Sequence, residues 1–143
     1  MANAEHKEIL NVDREKLFDA ITRYEDYPQF VEGVKGVQVE RKGEGAARAT
    51  YNVSMMKDFV YTLDHKEDRA KGRVEWTLVS SDAFKVNKGY WQLKDAGKGK
   101  TDVTYAIEVD FSFPVPGFIL NKVVKGTLPS MVQGFAKRAG AKK

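Results

Sequence analysis

The chain has 143 residues, 42% of them apolar and 31% charged, with a formal net charge of +4. That balance fits one globular domain over residues 1–143 and excludes a disordered polyelectrolyte. There is no cysteine, which excludes disulfides, thiolate metal sites and a cysteine nucleophile.

The first residues, Met1 to His6, lack the basic-then-apolar order of a signal peptide, and no apolar run approaches the roughly 20 residues that span a bilayer. A cytoplasmic location is expected. Residues Glu5 to Val12 read as a first strand. Asp13 then sits as a helix N-cap with Glu15 in the first turn, and Leu17, Phe18, Ala20 and Ile21 recur at helical spacing. In Tyr24 to Val31, Pro28 suits the first turn of a second short helix, with Asp26 as its cap.

From Val34 onward the period becomes two. Val37 and Val39 lead to a turn at Gly43-Glu44-Gly45. Ala47 to Met56 sets Ala49, Tyr51, Val53 and Met55 on one face, and Phe59, Tyr61 and Leu63 alternate in the next strand. Arg69 to Gly72 closes that hairpin. Val74, Trp76 and Leu78 mark another strand, and Lys85 to Leu93 carries Gly89, Trp91 and Leu93 on one side. After the Asp95–Lys100 loop, Val103, Tyr105, Ile107, Val109, Phe111 and Phe113 alternate with polar residues. Pro114 to Gly117 breaks that strand, and a helix is predicted from Phe118 to about Arg138. Pro129 falls inside it, which predicts a bend between Gly126 and Pro129. Val124, Leu128, Met131, Val132 and Phe135 form its apolar stripe.

Helices at both ends and strands between define an α+β class with an antiparallel sheet. Several apolar strand faces compete for the cover of one long helix. Either a hollow remains for a small apolar ligand, or Trp76, Trp91 and the tyrosines fill the interior. Composition by itself favours the filled interior.

Catalytic signals are sparse, and no recognisable catalytic constellation stands out. His6 and His65 are far apart in sequence and in no metal motif, so no metal or other cofactor is expected. His65 is in phase with Phe59, Tyr61 and Leu63 and could point inward, although a solvent-facing histidine at a strand edge is the simpler reading. Ser80-Ser81-Asp82 has no nucleophile elbow, and the glycine pairs Gly43/Gly45 and Gly97/Gly99 read as hairpin turns rather than phosphate loops. The basic end, Lys137, Arg138, Lys142 and Lys143 with Lys122 and Lys125 upstream, offers an electrostatic footprint for a ribosome, an RNA or a membrane surface. No DNA partner is expected.

Four segments together carry a resemblance: Tyr24-Glu25-Asp26-Tyr27-Pro28-Gln29-Phe30-Val31, Gly89-Tyr90-Trp91-Gln92-Leu93, Gly99 to Tyr105, and the proline-bearing end helix. In this order they resemble the START-related helix-grip (SRPBCC) superfamily. That group holds polyketide cyclase/dehydrase-like proteins, the coenzyme Q-binding type and a neighbouring ribosome-association toxin branch. The resemblance implies a single START-like domain: a curved antiparallel sheet of about seven strands around a long, kinked C-terminal helix, with two short helices after the first strand. It also implies a hydrophobic small-molecule ligand (a lipid, an isoprenoid quinone or a polyketide-like molecule) in a cavity between sheet and helix. The implied lining is Tyr51, Val53, Met55, Tyr61, Leu63, Trp76, Trp91, Tyr105, Ile107, Leu128, Met131, Val132 and Phe135, with Asn87 and His65 as the few polar groups. Two alternatives stand beside it: a ribosome- or RNA-associated regulator of translation, and a polyketide cyclase or aromatase. For the second, Arg48, Arg73 and Glu75 are the charged candidates, with surface strand charges as their default reading.

Overall fold

A computed structural model describes residues 2–31, 33–55, 57–114, 116, 118 and 128–140, the side chains of residues 2, 55 and 57 excepted. Alternation of apolar and polar residues produces seven strands: β1 (Ala2–Leu10), β2 (Val34–Arg41), β3 (Ala46–Met55), β4 (Lys57–Asp68), β5 (Arg73–Ser81), β6 (Phe84–Asp95) and β7 (Thr101–Phe111). They form one antiparallel sheet in the order β1-β7-β6-β5-β4-β3-β2. Strands β2 to β7 are therefore a meander of consecutive hairpins, and β1 returns to pair with β7, from Ala2↔Val109 to Leu10↔Thr101. At the β4–β5 hairpin, Gly72 has φ +66°, and a Cβ there would lie 2.3 Å from the Leu93 carbonyl oxygen, so only glycine fits.

Helix α1 (Arg14–Thr22) and a 3-10 helix (Tyr24–Gln29) lie between β1 and β2, and α2 (Leu128–Arg138) lies at the C-terminal end. The inward face of the sheet and one side of each helix share the main core. Leu17, Phe18 and Ile21 come from α1, and Leu128, Val132 and Phe135 come from α2. Trp91 meets α2 from the sheet: its ring stands 5.0 Å from that of Phe135 and 4.7 Å from that of Tyr105. On β7, Val103, Tyr105 and Val109 are buried while Asp102 is exposed, so the register expected for this strand holds.

Four local expectations need correction. The first strand begins at Ala2 and ends at Leu10, not at Glu5 and Val12, because pairing with β7 recruits residues that carry no apolar pattern of their own. Asp13 does occupy the N-cap of α1 in extended conformation, yet its side chain makes no cap hydrogen bond. The second short helix is of 3-10 type and starts at Tyr24, which places Pro28 near its end rather than in its first turn. Asp26, inside it, is no cap. The fourth correction concerns His65, which is buried (6% exposed) rather than solvent-facing. At the other terminus, Pro129 is the second residue of α2 as described, and Leu128 and Val132 point inward. Val124, and residues 126–127 of the stretch where the bend is predicted, lie outside the described residues. Among the described residues, no helix is long and apolar enough to cross a membrane.

Candidate functional site

The inward face divides into two regions. One is filled. The 3-10 helix projects Tyr24 and Tyr27, with Phe30 just beyond it, against Tyr51 of β3 and Phe135 of α2; Tyr27 and Phe30 each stand edge-on to Phe135, at 5.1 and 4.9 Å. Edge-to-face geometry of this kind adds to the gain from area burial.

A polar network threads this filled region. The Tyr24 hydroxyl donates to Glu67 at 2.6 Å, Arg41 donates to both Glu67 oxygens at 2.9 Å, and a further Arg41 nitrogen caps the Thr22 carbonyl at 2.8 Å. His65 stacks on the Tyr24 ring at 4.1 Å, and its Nε2 shares a 2.7 Å hydrogen bond with the Tyr51 hydroxyl. Its Nδ1 is buried with no hydrogen-bond partner. Burial therefore holds the imidazole neutral, with a pKa lowered to about 3. Burial likewise raises the phenols of Tyr51, Tyr61 and Tyr105, so all three stay protonated at neutral pH.

The second region lies farther along β4 to β7. Phe59, Ala83, Phe84, Val109 and Phe111 form a smaller cluster, and Tyr61, Leu78 and Ile107 join it to the main core. These three point inward, yet all are only half-buried. Trp76 and Asn87 stand between the regions, joined by a 3.0 Å hydrogen bond from the indole Nε1 to the amide Oδ1. A groove of about 650 Å³ crosses β1, β7, β6 and β5 at the same level. Its lining is three successive cross-strand rows. Asn3, Glu108 and Lys88 form one outward row, with Thr77 beyond the last β5–β6 pair, and Glu5, Ala106, Tyr90 and Glu75 form the other. The row between them, Ala4, Ile107, Gly89 and Trp76, turns its side chains to the core.

Of the residues expected to line a cavity, Tyr51, Val53, Leu63, Trp76, Trp91, Tyr105, Leu128, Val132 and Phe135 are buried in the main core. Tyr61, Ile107 and Met131 are half-buried at its margin. The side chain of Met55 is outside the described residues. Asn87 and His65 are buried on the inward side. Sequence reasoning left out Leu78, although its phase with Val74 and Trp76 marks it as inward. It also left out Tyr24 and Tyr27, which no strand period could flag. The charged candidates face outward. Arg48 pairs with Asp64 at 2.8 Å, and Arg73 pairs with Glu75 at 2.8 Å while covering the Tyr90 ring at 4.1 Å. Among the described residues, no cluster of His, Asp or Glu could hold a metal.

A strand, two short helices, six meandering strands and a helix packed on the inward face constitute the helix-grip fold. The sequence family described as polyketide cyclase / dehydrase and lipid transport matches residues 10–136; the chain belongs to that family. Solved structures agree on the fold. The Zhui aromatase/cyclase from Streptomyces sp. R1128 superposes with a TM-score of 0.84 at 12% identity, covering 96% of this chain and 93% of that one. A START superfamily protein from Mycobacterium smegmatis gives 0.84 at 17% identity, covering 96% of each chain. A protein from Thermus thermophilus gives 0.82 at 17% identity, with 96% and 97% covered. No curated protein sequence matches the chain.

Proposed function

We propose that residues 1–143 act as one START-like domain that binds a hydrophobic small molecule between the sheet and the C-terminal helix. The observation that carries this reading is the second region of the inward face. Tyr61, Leu78 and Ile107 point toward the interior but stay half-buried, so apolar surface is left for a ligand to cover. Each Å² removed from water contributes about 25 cal/mol. The family's description, which includes lipid transport, supports the same class.

Within that class, the coenzyme Q-binding resemblance favours an isoprenoid chain, whose narrow section suits a site walled by Tyr61, Leu78 and Ile107. The aromatase/cyclase reading has the likeness to a Streptomyces aromatase/cyclase behind it. In this chain, however, Arg48, Arg73 and Glu75 are paired on the outer face, and the inward polar groups include neutral His65, Asn87 and the phenols of Tyr24, Tyr51, Tyr61 and Tyr105.

The test is native mass spectrometry, with lipid extraction, of protein purified from its own host. The expected result is a co-purifying apolar adduct, together with uptake of the fluorescent probe anilinonaphthalene sulfonate that added organic ligand displaces. Absence of both would overturn the reading. Salt separates the remaining alternative: binding to a ribosome or RNA weakens steeply as salt rises, whereas uptake of a neutral ligand does not.

A further inference from the structure

The β5–β6 ladder is unusually short. It pairs only Arg73↔Gln92, Val74↔Trp91, Glu75↔Tyr90 and Trp76↔Gly89. Past Trp76, β5 stays with β4, through Leu63↔Leu78 and on to Tyr61↔Ser81. Residues Phe84 to Lys88 of β6 stay with β7, from Phe84↔Phe111 to Lys88↔Glu108. The two strands meet again only at their turn, where the Ser81 hydroxyl oxygen accepts from the amides of Ala83 and Phe84, both at 2.8 Å. The sheet thus contains a slot, bounded by Thr77–Ser81 on one side and Phe84–Lys88 on the other, across which no ladder pair forms.

Three further features converge on the apex of this slot. The groove of about 650 Å³ lies over it, with Trp76, Thr77, Lys88 and Gly89 in its lining. Trp76 and Ile107 belong both to that lining and to the interior core, so at these two residues a single layer of backbone separates the groove from the inward side chains. Finally, the Trp76–Asn87 hydrogen bond spans the slot, side chain to side chain, where backbone pairing is missing. Gly89 makes room for this arrangement: a Cβ there would lie 2.6 Å from the Trp76 ring and 2.1 Å from the Ala106 carbonyl oxygen.

We infer that the slot between β5 and β6 is the passage by which an apolar ligand reaches the interior, with the outer groove as its vestibule and the Trp76–Asn87 pair setting its width. The inference rests on the ligand-binding reading above and adds the route. Widening the slot requires one side-chain hydrogen bond to part and one indole to turn, whereas opening any other strand pair would break a backbone ladder.

The chain's lack of cysteine makes the test clean. Thr77→Cys and Lys88→Cys, on the outer face just past the last ladder pair, are joined by a short bis-maleimide. Stopped-flow uptake of anilinonaphthalene sulfonate is then compared with the same double variant left unbridged. Bridging should slow uptake about tenfold at unchanged final signal, since a required conformational step limits association. Equal rates would overturn the passage while leaving the ligand-binding reading standing. No uptake by the unbridged variant would overturn both. A second variant, Asn87→Leu, removes the bond across the slot and should speed uptake about threefold; unchanged or slower uptake would overturn the role given to this pair.

Discussion

The two regions of the inward face are built from the same kinds of residue and behave differently. Around the 3-10 helix, Tyr27 and Phe30, themselves half-buried, meet Phe135 edge to face, and Tyr24, Phe135 and Ala49 are sealed from solvent. Around Tyr61, Leu78 and Ile107, equally apolar side chains remain half-open. Among the described residues, the two short helices and α2 pack over the first region, whereas a split in the sheet borders the second.

The largest expected effect tests the filled side. Phe135→Ala should cost about 3–5 kcal/mol in urea denaturation, and Ile107→Ala about 1 kcal/mol, because a half-open site loses less contact and leaves a smaller new cavity. Equal losses would erase the contrast between the regions. Adding volume comes next. Ala49→Trp, in the sealed region, should destabilise by about 1–3 kcal/mol or more. Leu78→Trp should keep the fold, by circular dichroism, and abolish uptake of anilinonaphthalene sulfonate. If both substitutions unfold the chain, the second region is packed as well.

A third effect, spread over the acid range, sharpens the picture of the filled region. In the native state burial keeps His65 neutral down to about pH 3, whereas in the unfolded chain it takes up a proton near its ordinary value of 6.5. Between those limits the unfolded state binds more protons, so stability falls as the pH falls through that window and is independent of this group above it. One proton contributes a slope of up to about 1.4 kcal/mol per pH unit. His65→Leu should flatten the stability profile between those limits by that amount; an unaltered slope would mean that His65 is solvated in the native state.

Much of this architecture is legible in the residues, and the failures have physical causes. The alternation from Val103 to Phe111 announces β7 because its inward row is unbroken. Ala2-Asn3-Ala4 announces nothing, since those residues become strand only by pairing with a finished β7. His65 looks solvent-bound by type, and what buries it is a Tyr24 ring delivered from a different element. Tyr51 and Tyr61 are indistinguishable by phase, yet one is sealed and the other half-open. That distinction depends on where the short helices land and on where β5 and β6 part, and neither is a property of a strand's own sequence.

The strand order also bears on how the fold is reached. From β3 to β7 each strand pairs with its predecessor, so the meander can zip up by local hairpin closure at small entropic cost. β1 alone waits: its partner for Ala2 is Val109. On a ribosome the N-terminal strand is made first, and it has no sheet edge to join until β7 has emerged. Until then the β7 edge is an open template for any extended segment nearby. Closure by β1 is thus the folding step that contributes least locally and shields the chain most from mispairing.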